Sequence, residues 1–179
     1  MKVKKKSGFS LLLKRSFLVA VLVLSFYYFC PRSALPDNAK IDLIIVYKSK
    51  RKLVVYSKEK IVKTYSIALG KNPIGDKQFE GDLKTPEGIY FIQDKNPNSG
   101  YYKNLGISYP NKKDIEKAKK IGKPVGGDIK IHGLKNKMGF IGKFHRWTDW
   151  TLGCIALTND EVEELYNYVP IGTKIEILP

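Results

Sequence analysis

From residue 41 to the end of this 179-residue chain, apolar side chains recur at every second position in short segments separated by glycine, proline, asparagine and charged clusters. A period of two matches a pleated strand, whose side chains leave the backbone on alternate sides. Ile41, Leu43, Ile45 and Tyr47 share one face, and residues 52–56 follow across a Ser-Lys-Arg turn, which predicts a hairpin. Residues 61–69 alternate again. Residues 70–84 are rich in glycine, proline, lysine and aspartate and read as a long surface loop. Strand character resumes over 86–93, and Asn96-Pro97-Asn98-Ser99-Gly100 supplies a turn.

Two helices interrupt this pattern. Asn111 is placed to cap a helix over 112–121, with Ile115, Ala118 and Ile121 at helical spacing. Gly126 and Gly127 then precede a strand over 128–132. Thr158 with Glu161 three residues later makes a capping box, and Val162, Leu165, Tyr166 and Val169 form one apolar face before Pro170. Gly172 turns the chain into a closing strand over 173–178, marked by Ile175 and Ile177. The expected fold is mainly β, a sandwich or barrel with two or so short helices.

The N-terminus differs in kind. Residues 1–15 carry Lys2, Lys4, Lys5, Lys6, Lys14 and Arg15 with no acid, and residues 16–30 are uncharged and mostly apolar. Basic residues ahead of an apolar run mark an export or membrane signal. The run is short for a spanning helix, so a cleaved signal peptide competes with a signal anchor. Tyr27, Tyr28 and Phe29 favour the anchor, because they offer no small-residue cleavage site and tyrosine suits a membrane interface. The reading is therefore a basic cytoplasmic segment (1–15), an inner-membrane anchor (16–30), a proline-containing linker (31–40) and a domain outside the cytoplasm (41–179). A cleaved signal would make the domain a secreted one. Cys30 lacks the small neighbours of a lipidation site and reads as a membrane-edge cysteine.

Net charge is +15, of which residues 1–40 supply +7 and residues 41–179 supply +8. The lysines of the domain are scattered, with no basic stripe and no interleaved stacking aromatics, so no nucleic-acid partner is expected. Attraction to an anionic envelope fits better.

Cys154 follows Gly153 and precedes the apolar Ile155, Ala156 and Leu157. A free cysteine in that setting is often simply buried. With Cys30 at the membrane, however, Cys154 has no intrachain disulfide partner in an oxidising compartment, and His132 lies upstream on a predicted strand. An imidazole can take a thiol proton and stabilise the thiolate that attacks a carbonyl. Gly153 leaves space for a substrate carbonyl, and backbone N–H groups beside Cys154 could form an oxyanion hole. Two histidines and two cysteines without close ligand spacing make no zinc site, so neither metal nor cofactor is expected.

Several separated motifs support this reading: residues 41–56, Ala68-Leu69-Gly70 with Gly75, residues 81–90, residues 108–111, Ile131-His132-Gly133 and Gly153-Cys154-Ile155. In this order they resemble the YkuD-type L,D-transpeptidase family over nearly all of residues 41–179, in particular a YafK-like branch. The resemblance implies an enzyme that takes an acyl group from a peptidoglycan stem peptide. Cys154 would be the nucleophile, His132 the general base, and the Gly133 carbonyl the group that orients the ring. An amine of a second stem or of a wall-linked protein lysine as acceptor gives a crosslink; water gives hydrolysis. Both outcomes stay open, as does a non-catalytic wall-binding module.

Three features depart from the family pattern. The 22 residues between His132 and Cys154 imply an enlarged loop holding Trp147 and Trp150, either of which could contact substrate or pack the loop. Many members place histidine two residues before the cysteine and arginine two after it, where this chain has Leu152 and Ala156. Arg146 or a loop lysine is then expected to hold a substrate carboxylate. His145, the rival base, reads as an exposed loop histidine.

Overall fold

The first alternating segments form the expected hairpin, with β1 (Leu43–Tyr47) antiparallel to β2 (Lys52–Ser57) and β2 antiparallel to β3 (Lys60–Ser66). A computed structural model describes residues 7–30, 33–37 and 39–179. The face of β1 turned to the core is Ile44 and Val46, both fully buried, while Leu43, Ile45 and Tyr47 stay partly exposed. Every residue of this strand is apolar, so alternation alone could not choose the buried side.

Next come β4 (Gly88–Ser99) and β5 (Tyr102–Ile107), an antiparallel pair. This corrects the sequence reading twice. The segment read as a turn, residues 96–100, lies mostly within β4, and β5 had no sequence signal. Its Lys103, Asn104 and Gly106 are poor strand formers, and pairing with β4 on one side and with β6 (Lys130–His132) on the other holds them extended. The short β7 (Ile155–Ala156) runs parallel to β6, and β8 (Lys174–Leu178) lies between β1 and β4.

The eight strands make one mixed sheet in the order β3-β2-β1-β8-β4-β5-β6-β7. Its two ends meet: beyond β3, Ala68 exchanges backbone hydrogen bonds with Ala156, and the Leu69 carbonyl accepts from the Thr151 N–H. The sheet is thereby curled towards a barrel around Ile44, Leu53, Tyr65, Ile92, Leu105, Ile131, Ile155 and Ile175. Burying each such side chain contributes about 1.5–3 kcal/mol.

Helix α1 belongs to a separate unit and is described below; α2 (Lys112–Lys120) and α3 (Asn159–Tyr168) belong to the sheet unit, and each starts with a capping box. On α3 the predicted Val162 and Leu165 are fully buried, as is Val169 just beyond it. On α2 the Asn111 cap and the burial of Ala118 are as expected, but Ile115 and Ile121 are about half exposed and Asp114 is buried. The Asp114 carboxylate accepts from the Asn111 N–H and the Tyr90 hydroxyl, so a cap rather than an apolar stripe seats this helix.

The first unit holds α1 (Ser7–Phe29), whose stretch Leu11–Phe29 has mean hydropathy 1.7 and is long and apolar enough to cross a membrane. A signal sequence has the same properties. The helix begins before the uncharged run, taking in Lys14 and Arg15. Lys2, Lys4, Lys5, Lys6 and, in the linker, Pro31, Arg32 and Asn38 lie outside the described residues. Leu35, read as linker, is buried in the core, and its N–H donates to Glu164.

Candidate active site

Strand β6 and the start of β7 bring the two sequence-singled residues together. In the parallel register Ile131 sits beside Ile155 and His132 beside Ala156, so Cys154 enters the sheet next to Lys130. Pleating sends Ile131 into the core and puts Lys130 and His132 on the other face. There a groove of about 460 Å³ is lined by both, together with Cys154, Tyr101, Asn104 and Trp150.

His132 is fixed on two sides. Its Nδ1–H donates to the Gly133 carbonyl at 2.6 Å, which makes Nε2 the proton-accepting nitrogen of the neutral ring. Tyr101 packs against the imidazole with ring centroids 4.7 Å apart, and Trp150 meets it edge-on at 5.7 Å. Gly133 itself is enclosed: a Cβ there would lie 2.8 Å from the Asn159 side-chain oxygen and 3.0 Å from Val162. Backbone packing against α3 thus sets where the carbonyl points.

The cysteine loop is held from below by residues remote in sequence. Thr151 donates its hydroxyl to the Cys154 carbonyl at 2.7 Å and accepts from the Gly153 N–H. Asp149 accepts from the Leu69 N–H and pairs with Arg51, tying the loop to the end of β3. Gly153 takes φ +139°, and Gly70 packs so near that a Cβ on it would meet the Leu83 carbonyl. The loop over residues 70–87 is therefore the floor under the Cys154 loop. Buried Lys48 staples this floor, donating to the carbonyls of Gly75 and Thr85 and to Glu87. Lys77 pairs with Asp82, both buried.

Cys154 is half-buried, and its Sγ donates to the Asp128 carbonyl at 3.5 Å. Burial pushes its thiol above the ordinary value, opposed by the N–H and the charge of Lys130. Burial also pushes the His132 imidazole down, against the pull of the Gly133 carbonyl. The two shifts agree in direction: at neutral pH the resting pair is a thiol and a neutral imidazole, rather than a preformed thiolate and imidazolium. Alkylation of Cys154 by iodoacetamide should accordingly rise with a midpoint above that of a free cysteine measured alongside. A reactive plateau extending below pH 6 would contradict this.

Of the other predicted residues, Trp150 lines the groove, Gly153 adjoins Cys154 with its N–H donated to the Thr151 hydroxyl, and Arg146 does not line it. The Arg146 guanidinium is buried and paired with Glu161, the capping-box residue of α3, so it is turned away from the groove. The pair holds the Glu161 carboxyl below its usual range in spite of burial. His145 is another correction: it is buried, and its Nδ1 accepts from the Trp150 indole N–H at 3.3 Å. Burial, then the charge of Arg146, pushes it down to about 4, so it stays neutral and keeps that acceptor. The loop folds inward over Gly139–Trp147 as two short 3-10 turns joined by a kink at Gly142, which the scattered polar residues of the sequence did not signal. Trp147 is exposed and packs on Phe144, away from the groove. Sequence reasoning missed Lys130, Tyr101, Asn104 and Thr151; only the i, i+2 spacing of Lys130 from His132 could have pointed to one of them. Among the described residues, no group of three or more metal-ligating side chains occurs.

The model of the YkuD family, the L,D-transpeptidase catalytic domain, matches residues 41–177. The chain belongs to this family. Relatives include YafK of Escherichia coli strain K12, provisionally named an L,D-transpeptidase and 30% identical over 132 residues, which are 70% of this chain and 46% of YafK. YqjB of Bacillus subtilis, named in the same way, is 32% identical over 75% of this chain and 69% of its own length. The chain thus spans about half the length of YafK. Among solved structures, the helical cell shape determining protein Pgp2 from Campylobacter jejuni is 28% identical with a TM-score of 0.56, covering 81% of this chain and 50% of that one. An Enterococcus faecium L,D-transpeptidase, 16% identical with a TM-score of 0.50 over 78% of this chain and 50% of that one, is similar in fold.

Proposed function

We propose that this YkuD-family domain is a peptidoglycan L,D-transpeptidase with Cys154 as nucleophile, His132 as general base and Gly133 as the group orienting the ring. What carries the reading is the shared groove, with His132 Nδ1 committed to Gly133 so that Nε2 is left to take a proton. The Cys154 thiol gives its proton to Nε2 as sulfur attacks the stem-peptide carbonyl, and the resulting oxyanion is met by backbone N–H groups beside Cys154. The carbon–nitrogen bond then breaks, the leaving amine takes the proton from Nε2, and a thioester remains. An acceptor amine attacks next, its proton passes to Nε2 and on to the departing sulfur, and the free thiol is restored. Trp150 walls the groove on the substrate side. The chemistry needs neither metal nor cofactor.

The apolar α1 helix and the basic residues ahead of it support an inner-membrane anchor over 16–30, with residues 41–179 facing the wall outside the cytoplasm. The likeness to a cell shape determining protein supports a role in wall remodelling.

The test is incubation with purified disaccharide-tetrapeptides followed by mass spectrometry of protein and products. A thioester adduct on Cys154 and crosslinked dimers are expected. An adduct with released acids alone would make the domain a hydrolase, and no adduct, with Cys154 also inert to a carbapenem, would leave a wall-binding module.

A further inference from the structure

Three cations stand near the groove, and their charges are not equally committed. Arg146 is buried against Glu161, and Lys77 is buried against Asp82. Lys130 is different. Its ammonium lies 3.8 Å from Asp128, at the outer limit of an ion pair, and the Asp128 side chain is 88% exposed. Such a pair holds the ammonium weakly and yields readily to a better anion. Among the described residues lining the groove, Lys130 carries the one positive side chain.

Its position relative to the sulfur gives that charge a use. Lys130 and Cys154 each immediately precede the paired Ile131 and Ile155, the Lys130 N–H faces the sulfur, and its side chain lines the groove with His132. A peptide acylating Cys154 places its scissile carbonyl at Sγ. Consecutive Cα atoms are about 3.8 Å apart, so the carboxylate of the residue just past the scissile bond falls within the reach of a lysine side chain. Partial burial of the ammonium strengthens such a contact over one in bulk water.

We infer that Lys130 is the specificity-determining residue of the groove, binding the terminal carboxylate of the residue that leaves when Cys154 is acylated. The inference rests on the proposed acyl transfer. An amide-capped or longer donor lacks a carboxylate at that distance.

The test compares a synthetic disaccharide-tetrapeptide with its C-terminal carboxamide on wild-type protein, Lys130→Met and Lys130→Arg. Wild type should prefer the free acid by about tenfold to hundredfold in kcat/KM, the worth of a charged hydrogen bond. Lys130→Met should lose that preference, the acid falling further than the amide and doing so through KM, and Lys130→Arg should restore most of it. Any effect of the ammonium on the thiol slows both substrates alike, so their ratio isolates the carboxylate contact. An unchanged ratio in Lys130→Met, with wild type active, overturns the assignment while leaving the transpeptidase reading intact. Wild-type protein that turns over neither substrate and forms no Cys154 adduct defeats that reading, and this inference with it.

Discussion

Cys154→Ala is expected to reduce turnover of disaccharide-tetrapeptide to background while leaving the melting temperature nearly unchanged. The sulfur is the atom that would carry the acyl group, and no other cysteine lies in the groove. His132→Ala should cost about 10²–10⁴-fold, the usual worth of a positioned proton acceptor. The double variant should be no slower than Cys154→Ala alone, because residues that act as a unit are not additive. His145→Ala should cost about tenfold or less, since that ring lies behind Trp150 and supports the groove only through the indole hydrogen bond. Product release measured by chromatography checks all four. Persistent turnover by Cys154→Ala would place the nucleophile elsewhere.

Gly153→Ala is expected to damage stability and rate together. At φ +139° an L side chain is strained, and its Cβ would lie 2.7 Å from the Lys84 carbonyl and 3.0 Å from Ile129. The Lys84 backbone belongs to the stapled floor and cannot retreat cheaply. A loss of about 2–4 kcal/mol follows from strain plus overpacking, or roughly 10 °C in melting temperature for a domain of this size. Cys154, the proposed nucleophile, is the next residue, so kcat should fall even in the folded fraction. Gly100→Ala is the control: nothing lies within 4 Å of its added Cβ, and its melting point should hold. Equal melting temperatures for the two variants would show that the floor yields, contrary to the packing described.

Elements legible in the sequence are those whose signals are local. The β1–β2 hairpin, the capping box at Thr158 and Glu161, and the closing strand β8 each follow from spacing within about ten residues. Cys154 and His132 were legible because their residue types are scarce and their neighbours distinctive. Strand β5 was not, because its extended form comes from two partner strands and its own composition argues against it. The buried face of β1 was hidden for the opposite reason, both of its faces being apolar.

The sequence by itself determined that this chain carries an apolar N-terminal helix and a mainly β domain, and it singled out Cys154 and His132 from two cysteines and two histidines. Tertiary structure alone decided which charges face the groove. Arg146 and Lys130 look alike as letters, yet one is neutralised by Glu161, fifteen residues on, and the other stands beside Cys154 through parallel pairing of β6 with β7. Periodicity records whether a residue is apolar, whereas the commitment of a charge depends on partners brought close by folding, and strand pairing at long sequence separation leaves no local trace.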